Sequence, residues 1–161
     1  MIAAIWPVSS AAAYENQITL GGDLGFAERF ADEGPRHGGT LGLLSSIGLD
    51  DIWSARARFS YSIHHSAGLL HVFLVSTEIL YLIDILEFVP YLGVGPDGVA
   101  TLYEDELQLD AAIHAVFGVD YLFSRELIFG LEARPMYFLS RTGLHTARLA
   151  AVFTVSYSFE M

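Results

Sequence analysis

The sequence predicts an all-β fold: eight antiparallel strands, arranged up and down and closed into a transmembrane barrel. Three observations carry that prediction. Segment after segment alternates apolar with polar or small residues, so one strand face is greasy and the other is not. The connections between segments alternate between short and longer, more polar ones, as they do where all the tight turns of a barrel lie at one rim. The polar columns consist of Gly, Ser and a few charges of both signs, which suits a narrow interior better than a solvated surface.

Taken in order, the strands read as follows. Near 17 to 29, Ile18, Leu20, Leu24 and Phe26 alternate with Thr19, Gly21, Asp23 and Gly25. Near 38 to 49, Leu41, Leu43 and Ile47 oppose Thr40, Gly42, Ser46 and Gly48. The third, near 54 to 65, is the most polarised, with Ala57, Phe59, Tyr61 and Ile63 against Arg56, Arg58, Ser60, Ser62 and His64. The stretch LLHVFLVSTEILYLIDILEFVPYLGVG, residues 69 to 95, is apolar enough to suggest a transmembrane helix. Glu78, Asp84, Glu87 and Pro90 oppose that reading, since a central acidic residue costs roughly 2.5 to 3.5 kcal/mol on insertion scales. It divides instead into a fourth strand over 69 to 82 and a fifth over 88 to 95 or beyond, joined by a turn around Asp84. A sixth strand is expected near 108 to 122, setting Ile113, Ala115, Phe117, Val119 and Tyr121 against Asp110, His114, Gly118 and Asp120, and a seventh near 126 to 138, setting Leu127, Phe129, Leu131 and Ala133 against Gly130, Glu132 and Arg134. The eighth, TARLAAVFTVSYSFEM (146 to 161), separates Ala147, Leu149, Ala151, Phe153, Val155, Tyr157 and Phe159 from Arg148, Ala150, Val152, Thr154, Ser156 and Ser158.

Short connections are expected at 49 to 53, 83 to 87 and 123 to 126, and longer ones at 31 to 38, from Pro96 to about Leu107, and at 140 to 145, with His65 to Gly68 a tight member of the longer class. The first residues, MIAAIWPVSSAAAYENQ, have the apolar run and the small residues, Ala11 to Ala13, of the later part of an export signal. The domain division is therefore a truncated signal peptide over 1–13 and a barrel domain over 14–161.

Composition supports lipid as the environment of the apolar columns. Hydrophobic residues make up 53% of the 161 and charged residues only 17%, against about a quarter in soluble domains. The formal net charge is -11, and all eight cationic residues are scattered Arg, which argues against nucleic acid as a partner. The chain has no Cys, so disulfides, thiolate metal sites and thiol nucleophiles are excluded. The apolar columns carry almost no charge, as a lipid-facing band requires. Trp53, Tyr81, Phe88, Tyr121, Phe123, Tyr157 and Phe159 fall near the short-turn rim, where an interfacial aromatic girdle belongs.

The stretches VPYLGVG (89 to 95), HAVFGVDYLFSRELIFGLEARPMY (114 to 137) and the aromatic terminal FTVSYSF give the chain a resemblance to the small eight-stranded outer-membrane β-barrel proteins of Gram-negative bacteria, of the OmpA transmembrane-domain and OmpW-like type. The resemblance spans about residues 17 to 161. It implies location in the bacterial outer membrane and a monomer. It also implies contact with the lipid bilayer and with lipopolysaccharide, and recognition of the terminal strand by the barrel-assembly machinery. Such chains commonly end on Phe, whereas here Glu160 and Met161 follow Phe159.

The candidate site is a polar network in the lumen: Asp23, Arg56, Arg58, Glu78, Glu132, Arg134 and Arg148. Charges cut off from bulk water must pair, so these residues are expected to neutralise one another and fill the interior, with Arg148 seeking an acidic partner. A narrow channel for small or apolar solutes is the alternative. His64, His65, His71, His37 and His145 gather at the longer-loop rim without a diagnostic ligand spacing, and Glu104-Asp105-Glu106 is an acidic run at the same end. Neither a metal nor a cofactor is expected. Some barrels of this size modify lipid A, and Ser62, His64, Ser140 and His145 offer the residue types, but Ser62 and His64 are expected to point inward, away from lipid. The expected role is that of a small integral membrane protein, structural or acting at the cell surface.

Overall fold

A computed structural model describes residues 17–30, 36–65, 69–83, 85, 87–104, 106–139 and 147–160. The expected signal segment 1–13, Asp84, Asp105, Ser140 and His145 lie outside the described residues. The strands are β1 (Gln17–Phe30), β2 (His37–Gly48), β3 (Trp53–His65), β4 (Leu69–Leu82), β5 (Phe88–Tyr103), β6 (Glu106–Leu122), β7 (Leu127–Phe138) and β8 (Ala147–Glu160). Each pairs antiparallel with the next, and β8 returns to β1 along a register running from Gln17↔Glu160 to Phe30↔Ala147. Closure removes the sheet edge and satisfies the backbone between strands, which a membrane requires of any strand that crosses it.

The two columns face where the alternation puts them. Along β8, Leu149, Phe153, Val155 and Tyr157 are exposed while Ala150, Val152, Thr154, Ser156 and Ser158 are buried. Leu131 is 61% exposed and its neighbour Glu132 4%. Every strand contributes large apolar side chains to the outside, among them Leu24, Leu43, Phe59, Val75, Leu92, Phe117, Leu131 and Phe153. A continuous apolar girdle of that extent exceeds the few hundred Å² that soluble monomers tolerate, and hydrocarbon is the solvent that suits it.

One expectation requires correction. The residues from Pro96 to about Leu107 are not a long connection: β5 runs on to Tyr103, β6 starts at Glu106, and only residues 104–105 join them. The sequence GPDG (95 to 98) carries turn chemistry, yet Pro96 sits on the outer face at a break in the β4–β5 ladder. Pairing stops at Ile79↔Val94 and resumes at Ser76↔Asp97, so the missing N–H removes no bond. The rims therefore differ less than expected, the larger connections being 31–36 and 139–146. Strand β4 covers the expected 69 to 82 and is apolar on both faces. Phe73, Val75 and Ile79 point outward, while Leu70, Val72, Leu74, Leu80 and Leu82 fill the interior, and this is why 69 to 82 shows little alternation.

The interior is stratified. Toward the longer-loop rim, Leu70, Val72, Leu74, Val99, Ala112, Met136 and Phe138 form one buried apolar cluster. Toward the short-turn rim, Leu80, Leu82, Val89, Tyr91 and Val116 form another. On β4 and β6 the polar residues Glu78 and His114 lie between the two clusters.

Candidate functional site

The alternation of β3 turns Arg56, Arg58, Ser60 and Ser62 inward, and that of β7 turns in Glu132 and Arg134. Glu132 is the hub where they meet. It accepts from Arg56 Nη1, from Arg58 Nη2 at 2.7 Å and from Arg134 Nη1 at 3.2 Å. The Tyr91 hydroxyl donates to it at 2.8 Å, and the Arg56 guanidinium lies 5.1 Å from the Tyr91 ring centroid. Arg58 turns its other nitrogen to Asp23 Oδ2 at 2.9 Å. Arg134 also reaches Glu78 at 3.0 Å, and Arg56 stands 3.5 Å from the same carboxylate. Each of these charged side chains is nearly excluded from solvent.

From Glu78 the network continues through His114, whose Nε2 lies 2.7 Å from Glu78 Oε2 and whose Nδ1 lies 2.7 Å from Asp97 Oδ2. Arg134 Nη2 stands 3.2 Å from the same Nε2, so the ring is held from three sides. Ser76 donates to the second oxygen pair member, Asp97 Oδ1. Arg56, Arg58 and Arg134 thus face Asp23, Glu78 and Glu132, and His114 joins Glu78 to Asp97. The chain of contacts links β1, β3, β7, β4, β6 and β5 across the lumen. Paired charges of this kind avoid the several kcal/mol that an isolated buried ion costs.

Close approach across so narrow a lumen depends on missing side chains. A Cβ at Gly118 would lie 2.3 Å from Tyr91 Cζ, so this glycine is what lets the phenol lie inside. A Cβ at Gly42 would sit 2.7 Å from Asp23 Oδ2, against the carboxylate that pairs with Arg58. Below the network, toward the short turns, a residual void of about 30 Å³ is bordered by Thr19, Ser46, Arg56, Asp120, Thr154 and Ser156. That is room for a water or two in a polar setting.

Six of the seven residues expected in the lumen thus form one connected set. Arg148 does not join it. Its Nη2 donates to Ser62 Oγ at 2.6 Å, and among the described residues it has no carboxylate partner. Arg148 lies closer to the loop rim than the carboxylates of the network, opposite Arg29. Tyr91, Asp97 and His114 are network members absent from the expected set. His114 stood in a polar column by parity, whereas Tyr91 was masked by the apolar run and Asp97 by the apparent loop.

The aromatic residues expected at the short-turn rim pack in cross-strand and neighbouring pairs on the outer surface. Trp53 meets Tyr81 edge-on at 5.2 Å, Phe88 meets Tyr121 at 5.1 Å, Phe123 meets Phe129 at 5.8 Å, and Tyr157 meets Phe159 at 4.8 Å. Outward aromatics also lie toward the other rim, where Tyr61 packs on Phe73 at 5.0 Å. Of the histidines, His64 is buried inward and His65 is exposed, while His71 bonds the Tyr61 hydroxyl at 2.7 Å and His37 lies 3.7 Å from Glu28. No set of metal-ligating residues converges among the described residues. Ser62 and His64 both point inward, and Ser62 donates to Thr40 Oγ1 at 2.9 Å.

Solved outer-membrane barrels share this architecture. Neisserial surface protein A superposes with a TM-score of 0.75 at 11% identity, over 91% of this chain and all of that one. The N-terminal barrel domain of Pseudomonas aeruginosa OprF gives 0.66 at 17% identity, over 90% and 98%. The Pseudomonas aeruginosa outer-membrane protein OprG gives 0.64 at 12% identity, over 93% and 99%. The chain therefore has the fold of the eight-stranded outer-membrane barrels. No family model matches it. No curated relative matches it either.

Proposed function

We propose that the chain is a monomeric barrel of the bacterial outer membrane with a closed lumen, acting as a structural or surface component of the envelope and not as a pore. The observation that carries this reading is the continuous set of contacts from Asp23 through Arg58, Glu132, Arg134, Glu78 and His114 to Asp97, which crosses the interior between two apolar clusters. Water threading past it would have to separate paired charges in a medium of low polarity, where their attraction is strongest. The apolar girdle and the fold shared with outer-membrane barrels support the location. The aromatic face of β8 supports delivery by the barrel-assembly machinery. The outer surface supports contact with lipopolysaccharide in the outer leaflet.

A lipid-modifying role has less support. Ser62 is committed to Thr40 and Arg148, and His64 is enclosed in the lumen, where an acyl chain lying on the outer wall does not reach.

Conductance in planar lipid bilayers tests the closed lumen. The wild-type protein is expected to be silent. Glu132→Ala removes the acceptor shared by three guanidinium groups and is expected to introduce measurable current. A wild type that conducts steadily would refute the closed lumen and favour the narrow-channel alternative.

A further inference from the structure

Six of the eight ladders run without a gap through their described registers, and the two that lapse are the two that flank the β5–β6 hairpin. On the β4 side Thr77 and Glu78 have no rung to Gly95 and Pro96, and on the β7 side Ala115 and Val116 have none to Arg134 and Pro135. Both gaps fall within four consecutive rungs of the hairpin's own ladder, from Gly93↔Val116 to Pro96↔Ile113, so the wall is interrupted twice at one height. Proline has no N–H to offer a rung. Gly95 lets β5 stay against β4 without one, since a Cβ there would lie 1.8 Å from the Thr77 carbonyl oxygen. On the outer surface a groove of about 580 Å³ lies over the hairpin between Val94, Pro96, Ile113, Pro135 and Tyr137, so bracing at this height has to come from within.

Five buried side chains supply it. Glu78 sits in the first gap and Arg134 in the second, and they bond each other at 3.0 Å behind the hairpin. His114 lies between them on β6, its Nε2 2.7 Å from Glu78 Oε2 and 3.2 Å from Arg134 Nη2. Its Nδ1 lies 2.7 Å from Asp97 Oδ2 on β5, and Ser76 of β4 donates to Asp97 Oδ1. Each of the four strands that border a gap thus sends at least one side chain to the cluster. Hydrogen bonds to charged groups in a water-poor interior are stronger than those at a surface. Beside an intact ladder such bonds are a supplement; here they stand where rungs are missing.

We propose that this cluster is a strap that holds the barrel wall shut at the double gap, with His114 as its keystone. The ring reaches toward β4, β5 and β7 at once, so its loss frees all three. When the strap is released, the rungs beside the gaps part: Ser76↔Asp97 and Ile79↔Val94 on one side, His114↔Met136 and Phe117↔Ala133 on the other. The hairpin's own ladder and the rest of the barrel stay closed. The polar side chains of the lumen stand behind the freed backbone groups, and irregular backbone at membrane depth is tolerated where protein covers it in this way. The inference concerns the wall and goes beyond the closed-lumen role, so conductance does not decide it.

Backbone amide hydrogen exchange, read residue by residue by NMR on the refolded full chain in maltoside micelles, tests it. In the wild type the rungs beside the gaps are expected to be as protected as the mid-barrel rungs of β2–β3. His114→Phe keeps a ring and loses both nitrogens. It is expected to speed exchange at the amides of those four rungs at least about tenfold and to leave β1–β2 and β2–β3 unchanged, as a local opening does. An oxidised cysteine pair made by Ile79→Cys and Val94→Cys, directly opposite beside the first gap, is expected to restore slow exchange on the β4 side of the His114→Phe barrel. If His114→Phe does not refold, Asp97→Asn serves in its place, since it keeps the shape and weakens the hook on β5. Rungs that exchange freely in the wild type overturn the proposal, because nothing then holds them shut. So does a folded variant that exchanges as slowly as the wild type, and so does fast exchange that survives the cross-link. Exchange that quickens evenly around the barrel also overturns it, because that marks a general loss of stability.

Discussion

At the scale of single residues, Glu132 carries the most weight. Three guanidinium groups and a phenol converge on one carboxylate. Breaking a buried pair from one side leaves the partner charge uncompensated, at a cost of about 3–5 kcal/mol. Glu132→Ala is expected to lose that much in urea unfolding measured in lipid vesicles, and Glu132→Gln less, because the amide oxygen still accepts. A loss no larger than that of a surface substitution would mean the contacts do not hold the interior together. Much of this set was legible in the sequence, because Arg56, Arg58, Glu132 and Arg134 sit in strands with clean alternation, where parity alone assigns a face. Tyr91 and Asp97 were not legible. Parity has nothing to count against in an apolar run, and a Pro-Asp-Gly triplet has the composition of a turn whether or not the chain turns there. Arg148 was assigned the correct face, but its place outside the network was not legible, since parity fixes the face and says nothing of height along the barrel axis.

At the scale of elements, the β5–β6 hairpin shows where pattern and structure part. Its connection is only two residues, and Glu104 takes φ 49°, in the left-handed region. A side chain there costs roughly 1–2 kcal/mol that glycine avoids. Glu104→Gly is therefore expected to raise stability by up to about 1 kcal/mol in the same unfolding assay, part of the relief being offset by the greater freedom glycine gives the unfolded chain. A destabilised Glu104→Gly would show that the Glu104 side chain makes contacts outweighing the backbone strain. Strand β4 was hard to read for a different reason: Leu74 and Leu80 pack inside while Val75 and Ile79 meet lipid. A barrel interior need not be polar throughout, and where it is apolar the two-column signal vanishes although the strand remains. Two of the strand prolines behave alike. Pro96 and Pro135 both lie at interruptions of a ladder, the second where β6–β7 pairing lapses between His114↔Met136 and Phe117↔Ala133. They mark missing bonds and not strand ends.

At the scale of the whole molecule, closure, an apolar exterior and a lumen crossed by paired charges form one arrangement. Closing the sheet satisfies the backbone. Turning Leu, Phe and Val outward matches hydrocarbon, and the inward Asp23, Arg56, Arg58, Glu78, Glu132 and Arg134 meet in a lumen narrow enough for them to reach one another. The claim on which everything else depends is that the odd-numbered column of β8 faces lipid. The chain contains no Cys, so single cysteines at successive positions from 149 to 158 can each carry a nitroxide spin label without competing thiols. In lipid bilayers, collisions with oxygen, which concentrates in hydrocarbon, should peak at 149, 151, 153, 155 and 157 and fall at 150, 152, 154, 156 and 158. A profile without that period of two, or one with its maxima at the even positions, would contradict the barrel's orientation and with it the closed, charged lumen.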